Sequence, residues 1–171
     1  MTQEQYQEAA DYWKKKDAEA VKMDKDLLLK KIEMYMEAHN TCALATGCGD
    51  FIRCTPIEYS YHDGSLWMFS EGGQKFIGLS RNKNVSIAIF DAYNGFGQLN
   101  GMQISGTAEI VEPFSDEYNA HAKRKGINPE ALKKLPFTMN LIKIKPTHID
   151  YLCSDLKKDG YDSRQALDLQ A

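Results

Sequence analysis

The sequence lacks the features that define several large classes of protein. It contains no C-x-x-C pair, and its four histidines are scattered, so no zinc site built from close ligand pairs is predicted. The longest apolar runs, such as residues 87–90, are far shorter than a membrane span. The first five residues are polar and acidic, which is not the start of a signal peptide. These absences predict a soluble, cytoplasmic protein with no membrane partner.

Charge of one sign is also not in excess. The chain of 171 residues has 21 Lys and Arg against 24 Asp and Glu, a formal net charge of −3. This balance offers no basic surface for nucleic acid. Any anionic ligand must therefore be held by a few placed cations. The share of hydrophobic residues, 43%, is that of an ordinary globular domain.

The familiar catalytic motifs are missing as well. The chain has no G-x-S-x-G, no H-E-x-x-H and no G-x-x-x-x-G-K-[ST] sequence. Gly47 and Gly49 form a G-x-G without the third glycine and following helix of a dinucleotide fingerprint, and we interpret them as part of a turn. No catalytic residue and no metal ligand is assigned from these patterns.

The cysteines allow two interpretations. Cys42, Cys48 and Cys54 are spaced by six residues, and Cys153 lies far from them. In a protein without a secretory signal, free buried or half-buried thiols are the simpler interpretation. The alternative is a redox pair formed by Cys48 and Cys54 across a tight turn.

The pattern along the chain predicts one domain, residues 1–171, with three parts. Residues 1–39 form a helical N-terminal extension, in which Asp24 caps the second helix. Residues 40–153 form a barrel, and residues 154–171 form a tail with a short helix. Trp13 in the extension could stack on a ligand, but we favour packing of the helix on the body.

The barrel region predicts a mainly β fold. Six segments have strand composition, and tight turns such as His62-Asp63-Gly64 join the early ones, which indicates antiparallel order. Pro56 within the second strand suggests a sheet edge or a bulge. We therefore predict a six-stranded antiparallel split β-barrel, Greek-key-like, with N-terminal helices.

Two cations could converge on one ligand. Arg53 precedes Gly64 by eleven residues and Lys75 follows it by eleven, so a hairpin centred on Gly64 would bring them to matching positions. Arg offers a fork and Lys a point charge to a phosphate group, and the glycines before Lys75 would expose backbone N–H groups. The competing interpretation is two solvated surface cations.

At these residues the sequence resembles the pyridoxamine 5'-phosphate oxidase-like, FMN-binding split-barrel family. The segments that carry the resemblance are Leu44-Ala45-Thr46, Arg53-Cys54-Thr55-Pro56, the stretch 63–70, Lys75, Asn82-Lys83-Asn84-Val85 and the stretch 104–109. Their order and spacing cover residues 40–112, with a looser similarity to about residue 150. The N-terminal helices and the tail at 160–165 are more similar to the general-stress-type branch than to the true oxidases.

The resemblance implies a homodimer with FMN in clefts at its interface. It implies that Arg53 and Lys75, with Gln74 beside them, carry the FMN phosphate. It further implies that the backbone of Cys54, Thr55 and Pro56 runs along the isoalloxazine ring, and that Phe69 and Ser70 line the ribityl or phosphate end.

Departures from the family pattern limit what the resemblance implies. Gln74 replaces a second basic residue found in many relatives, so the phosphate site has one charge fewer. Gly101 stands where the true oxidase has a glutamine, and the C-terminal Arg-x-His pattern is absent, so neither pyridoxine phosphate nor pyridoxamine phosphate is the expected substrate.

Three interpretations remain open at this point, the weakest of which is a structural dimer whose cleft has lost its cofactor. The first is an FMN-dependent oxidoreductase that takes electrons from a donor such as NAD(P)H and acts on a small molecule. The second is a flavin-binding or haem-binding module or sensor without turnover.

Overall fold

Two helices open the chain. The computed structural model describes residues 1–169, so the last two residues of the predicted tail lie outside the described residues. Helix α1, Gln3–Glu19, starts with a reciprocal capping box between Thr2 and Gln5, and none of its residues is buried. Helix α2, Lys25–Ala38, is capped by Asp24, as predicted, because the Asp24 side chain accepts hydrogen bonds from two backbone N–H groups of the first turn. Within residues 1–169, no helix combines the length and apolarity that crossing a membrane requires.

Eight strands and three shorter helices follow. The strands are β1 Thr41–Cys48, β2 Phe51–Glu58, β3 Ser60–His62, β4 Ser65–Ser70, β5 Asn84–Phe90, β6 Asn100–Val111, β7 Asn140–Cys153 and β8 Arg164–Asp168. The helices are α3 Lys75–Arg81, α4 Asp116–Arg124 and α5 Pro129–Leu132. Short 3₁₀ turns occupy Phe96–Gln98 and Ser154–Asp159.

All strand pairs are antiparallel, in the order β2-β1-β5-β6-β7-β4-β3. The long strand β7 splits the sheet, because one of its edges pairs with β6 while the other has two partners. Its first part pairs with β4, and the part from His148 to Leu152 pairs with β8. The chain is thus a curled antiparallel sheet with helical additions, and the predicted mainly β split barrel is confirmed.

The structure has eight strands where six were predicted. The predicted second strand divides at Tyr59, which is 1% exposed. Its backbone N–H donates to the Asn40 carbonyl, and its hydroxyl donates to the Met36 carbonyl. This anchoring turns the chain away from β1, so β2 and β4 do not form the predicted hairpin. In the tail, residues 164–168 form a strand in place of the predicted short helix, because Gln165 and Leu167 are buried against β7.

Two apolar cores lie on opposite sides of β4 and β7. The main core fills the curled sheet and includes Leu44, Leu66, Met68, Ile87, Ile104, Ile142, Ile144 and the apolar side chains of α2. The second core lies beneath α4 and α5 and contains Trp67, Val111, Tyr118, Ala122, Leu132 and Leu141. Strand alternation explains this division, since Leu66 and Met68 face one core while Trp67 faces the other.

Strand β6 needs a glycine where β7 bulges. Its register with β7 shifts between Ser105 and Gly106, which leaves Thr147 as the extra residue on β7. A Cβ at Gly106 would lie 2.7 Å from the Lys145 carbonyl oxygen and 2.9 Å from Ile144 Cγ2. The close approach of the two backbones therefore depends on the missing side chain.

Gly106→Ala is expected to lower the free energy of unfolding by about 1–3 kcal/mol, because the added methyl group overpacks the bulge. Urea denaturation followed by circular dichroism measures the change. Gly97→Ala is the matched control, since a Cβ there would meet no atom within 4 Å. Equal stabilities for the two variants would contradict the packing argument.

Candidate functional site

Lys75 is a buried cation without a carboxylate partner in the described chain. It is the first residue of α3 and is 7% exposed, and its Nζ donates a hydrogen bond to the Gly72 carbonyl. The ammonium lies 5.3 Å from the centre of the Phe76 ring. Within residues 1–169 it forms no ion pair. Burial lowers the pKa of Lys75, and an anion bound beside the ammonium would offset this effect by stabilising the charged form.

The loop before α3 is shaped by glycines and by Ser70. Gly72 and Gly73 have φ values of 146° and 102°, which L side chains rarely adopt. The Ser70 hydroxyl donates to the Gly72 carbonyl and accepts from the Gly72 N–H. Asn140 on β7 donates its amide to the Ser70 carbonyl. Ser70 therefore positions the Gly72 carbonyl, which accepts the hydrogen bond from the Lys75 ammonium.

Arg53 lies on the same side of the sheet as α3. It pairs with Thr46 across β1 and β2, and directly opposed residues of an antiparallel pair project to the same face. That face is covered by α3, because a Cβ on Gly78 would lie 3.2 Å from Thr46 Oγ1. Arg53 itself is exposed and makes no ion pair within residues 1–169. Helix α3, which begins with Lys75, packs on β1 and β2, so the two cations lie on the same side of the sheet without the predicted hairpin.

Strand β2 presents an unpaired edge, as Pro56 suggested. It is the terminal strand of the sheet order, with β1 on one side and no strand partner on the other within the described chain. Cys48 and Phe51 flank the two-residue turn between β1 and β2, and in such hairpins the flanking pair is hydrogen-bonded. Hydrogen-bonded and non-hydrogen-bonded pairs then alternate along the two strands. By this alternation, Cys54 directs its N–H and C=O to the free edge, and Pro56 directs its carbonyl there.

The remaining predicted positions are divided between two environments. Gln74 is exposed, and its side chain does not cap α3. Phe69 is half-buried in the second core, with its ring centre 5.4 Å from that of Tyr118 and 5.2 Å from that of His121. Because Phe69 alternates with Ser70 along β4, its ring lies on the α4 side of the strand while Ser70 shapes the loop.

The structure excludes the alternative interpretation, a redox pair of Cys48 and Cys54. All four cysteines are free thiols. Cys54 pairs with Ala45 while Cys48 pairs with Phe51, so the two cysteines lie three positions apart along the hairpin. This separation is about 10 Å and places the side chains on opposite faces. A disulfide needs Cα atoms within about 7 Å, so the free-thiol interpretation is correct.

The outer face of the sheet carries a cleft that the sequence analysis did not identify. Its volume is about 430 Å³, and it is lined by Ala45, Thr46, Gly47, Ile52, Asn84, Val85, Ser86, Ser105, Gly106 and Thr147. Ala45, Ser86 and Ser105 project outward in one row across three strands. The small residues at alternate positions of β1, β5 and β6 are the sequence signal that could have revealed it.

Comparison with known proteins gives one sequence match to a family. Residues 28–153 match the family described as pyridoxamine 5'-phosphate oxidase, which is more than half of the chain. Among curated proteins, no sequence matches the chain.

Several solved structures share the fold. General Stress Protein 26 from Bacillus anthracis aligns with a TM-score of 0.56 and 20% identity, covering 82% of this chain and 98% of that one. The FAD binding protein from Mycobacterium smegmatis aligns with a TM-score of 0.53 and 18% identity over 70% of this chain and 91% of its own. HutZ, the heme storage protein from Vibrio cholerae, aligns with a TM-score of 0.53 and 16% identity, covering 72% of this chain and 91% of that one. At these identities the alignments demonstrate the common fold.

Lys75→Met is expected to preserve or raise the stability of the ligand-free protein at neutral pH, because it removes a desolvated charge and keeps the side-chain volume. Since the folded state lowers the pKa of Lys75, the unfolded state binds more protons at alkaline pH. The wild type should therefore gain stability relative to the variant as the pH rises towards about 10.5. Urea titrations at several pH values measure this, with exposed Lys83→Met as the control. A loss of more than about 2 kcal/mol in Lys75→Met at neutral pH would show that the ammonium has a structural role.

Proposed function

Because the chain belongs to the pyridoxamine 5'-phosphate oxidase family, we propose that it is a flavoprotein that binds FMN and acts as an oxidoreductase on a small molecule. The observation that carries the proposal is the buried ammonium of Lys75, which lacks an anionic partner within the described residues. A buried cation is stable in proteins when an opposite charge is supplied, and a phosphate monoester supplies it. The proposal follows the family, and the two cations with the free edge of β2 support it.

The residues fit the phosphate end of FMN. Lys75 would provide the buried charge, and exposed Arg53 on the same side of the sheet would provide a fork for two phosphate oxygens. Ser70 and Asn140 would hold the loop in place around the phosphate. Gln74 adds hydrogen-bonding capacity without charge, so the site depends on two cations.

The residues of β2 fit the ring end. A flavin ring requires hydrogen bonds to its pyrimidine edge and a flat wall beside it. The outward N–H and C=O of Cys54, together with the carbonyl of Pro56, form a free strand edge that can provide the hydrogen bonds. Thr55 lies between them, half-buried, with its side chain on the α3 side opposite Leu44.

The chemistry of the reaction would come mainly from the cofactor. FMN supplies transfer of hydride or single electrons when it is bound. This chain would bind and orient the cofactor and leave one side open to an electron donor such as NAD(P)H and to the substrate. The proposal assigns no acid or base to a side chain, in agreement with the absence of catalytic motifs from the sequence.

We propose that the outer face of the sheet is the interface of a homodimer. The cleft of about 430 Å³ has a floor of small side chains, which lets a second backbone approach closely. Ile52 and Phe90, which are 78% and 66% exposed, border this face. Large exposed apolar side chains beside a small-residue floor are typical of an interaction surface. In this arrangement the flavin would lie at the junction of the two subunits, next to β2.

A second candidate function is a binding module without turnover. Its support is that structures of this fold include a protein described as FAD-binding and one described as a heme storage protein. Anaerobic mixing of the loaded protein with NADH or NADPH separates the two functions. Bleaching of the flavin band supports the oxidoreductase, and an unchanged oxidised spectrum supports the binding module.

Titration of the ligand-free protein with FMN, followed at about 450 nm and by quenching of flavin fluorescence, tests the proposed cofactor. Lys75→Met and Arg53→Gln are each expected to weaken binding by about 10-fold to 150-fold, the range of one charge-assisted hydrogen bond. Lys83→Met, an exposed cation just after α3, is the matched control and should bind as the wild type does. No binding to the wild type at millimolar FMN would overturn the proposal.

Ser86→Arg is expected to convert the proposed dimer to a monomer, because it places a long charged side chain in the floor of the outer cleft. Size-exclusion chromatography with light scattering measures the mass of each species. Thr138→Arg, an exposed position before β7, is the control and should leave the mass unchanged. A wild type that is monomeric at all concentrations would refute the interface.

A further inference from the structure

Two histidines are stacked on a tryptophan at the contact between α4 and the β3–β4 hairpin. The His62 and Trp67 rings are 4.9 Å apart and nearly parallel, with an interplanar angle of 6°. The His121 ring lies 5.2 Å from each of them, at angles of 20° and 15°. His121 belongs to α4 and is 2% exposed. This stack lies at the rim of the second core and joins α4 to the sheet.

A chain of hydrogen bonds runs from solvent into this stack. Asp63 in the hairpin turn lies 2.9 Å from Nδ1 of His62, through its Oδ2 atom. Nε2 of His62 lies 2.9 Å from Nδ1 of His121. Nε2 of His121 is buried and has no hydrogen-bond partner among the described residues. The hydrogen bond between the two rings is therefore the one side-chain hydrogen bond of His121 in this part of the chain.

The geometry limits how many protons the pair can hold. Nδ1 of His62 carries a proton for the Asp63 carboxylate, which can only accept when ionised. The bond between the rings needs one N–H and one lone pair. If His62 and His121 were both doubly protonated, two N–H groups would face each other across 2.9 Å and two positive charges would be in contact. The hydrogen-bonded pair therefore cannot have both rings doubly protonated.

The charges around the pair also oppose a second proton on His121. Three cations lie near the pair. Arg124 is close to Asp63, and Lys125 contacts Glu58 and Ser60. The Lys143 ammonium lies over the Trp67 ring and pairs with Glu117. Tyr118 contributes a neutral hydroxyl that donates to Met139. Burial, then His62, Lys125 and Arg124, lowers the pKa of His121 to about 4.

We propose that the hydrogen bond between His62 and His121 is an acid-sensitive latch that holds α4 and α5 on the β3–β4 hairpin. Double protonation of the two rings breaks the bond and releases the helices from the second core. The latch depends on side chains of this chain alone and requires no cofactor. Opening of the latch would remove the contact between the His121 ring and the Phe69 ring. Phe69 directly precedes Ser70, which shapes the loop of the candidate site.

The sign of the pH effect follows from the closed and open states. His121 has an ordinary pKa of about 6.5 when released, and its pKa is lower in the closed state. The open state therefore binds more protons below pH 6.5, and each pH unit between 6.5 and 4 favours opening about tenfold. The latch is therefore closed at neutral pH and opens as the pH falls below about 6.5.

Hydrogen exchange of the full-length protein at pH 7.5 and pH 5 tests the latch. After correction for intrinsic exchange, protection of the α4 amides is expected to fall by about thirtyfold at pH 5, while α2 amides in the same sample serve as the reference. His121→Phe keeps the aromatic stack and is expected to remove the pH dependence. His62→Phe removes the same bond from the more exposed side and is used if His121→Phe does not fold.

His148→Gln is the matched control. This histidine binds Asp168 across β7 and β8, and its replacement should leave the α4 response of the wild type intact. Equal protection of α4 at both pH values in the wild type would overturn the latch. A wild-type pH response that persists in both His121→Phe and His62→Phe would overturn it as well.

Discussion

The ammonium of Lys75 is the group around which the candidate site is organised. Burying it costs free energy, and the described chain offers in return the carbonyl of Gly72 and the face of the Phe76 ring, but no carboxylate. Ser70 and the glycine conformations hold that carbonyl, and α3 fixes the lysine at its first position. A protein that keeps an uncompensated cation at such a place gains stability when an anion binds. The proposed phosphate site, the choice of FMN and the position of the ring along β2 all depend on this interaction.

The helix that carries that cation packs on β2, the strand with the free edge. Tyr59 anchors the chain to α2 and ends β2, so β2 keeps a free edge. Strand β7 pairs with β4 and β8 in succession, which leaves room for α4 and α5 on the other side of β4. The same architecture therefore builds the candidate site on one side of β4 and the histidine latch on the other.

Local signals were sufficient to predict much of this fold. Asp24 marks the start of α2 and Pro56 marks an edge strand, both as found. Non-local pairing was the part that local patterns could not determine. The equal spacing of Arg53 and Lys75 from Gly64 suggested that a hairpin brings them together, whereas the packing of α3 on β1 and β2 puts them on one side of the sheet. Likewise, His62 and His121 are 59 positions apart, and no pattern in the sequence indicates their hydrogen bond.

The most direct test of the central claim compares FMN with riboflavin, which has the same ring system and no phosphate. Both ligands are titrated into the wild-type protein under the same conditions, and the two dissociation constants are compared. If Lys75 and Arg53 bind the phosphate, FMN should bind at least about 100-fold more tightly than riboflavin. Equal affinities would contradict the account, because the buried ammonium would then contribute nothing to recognition of the cofactor.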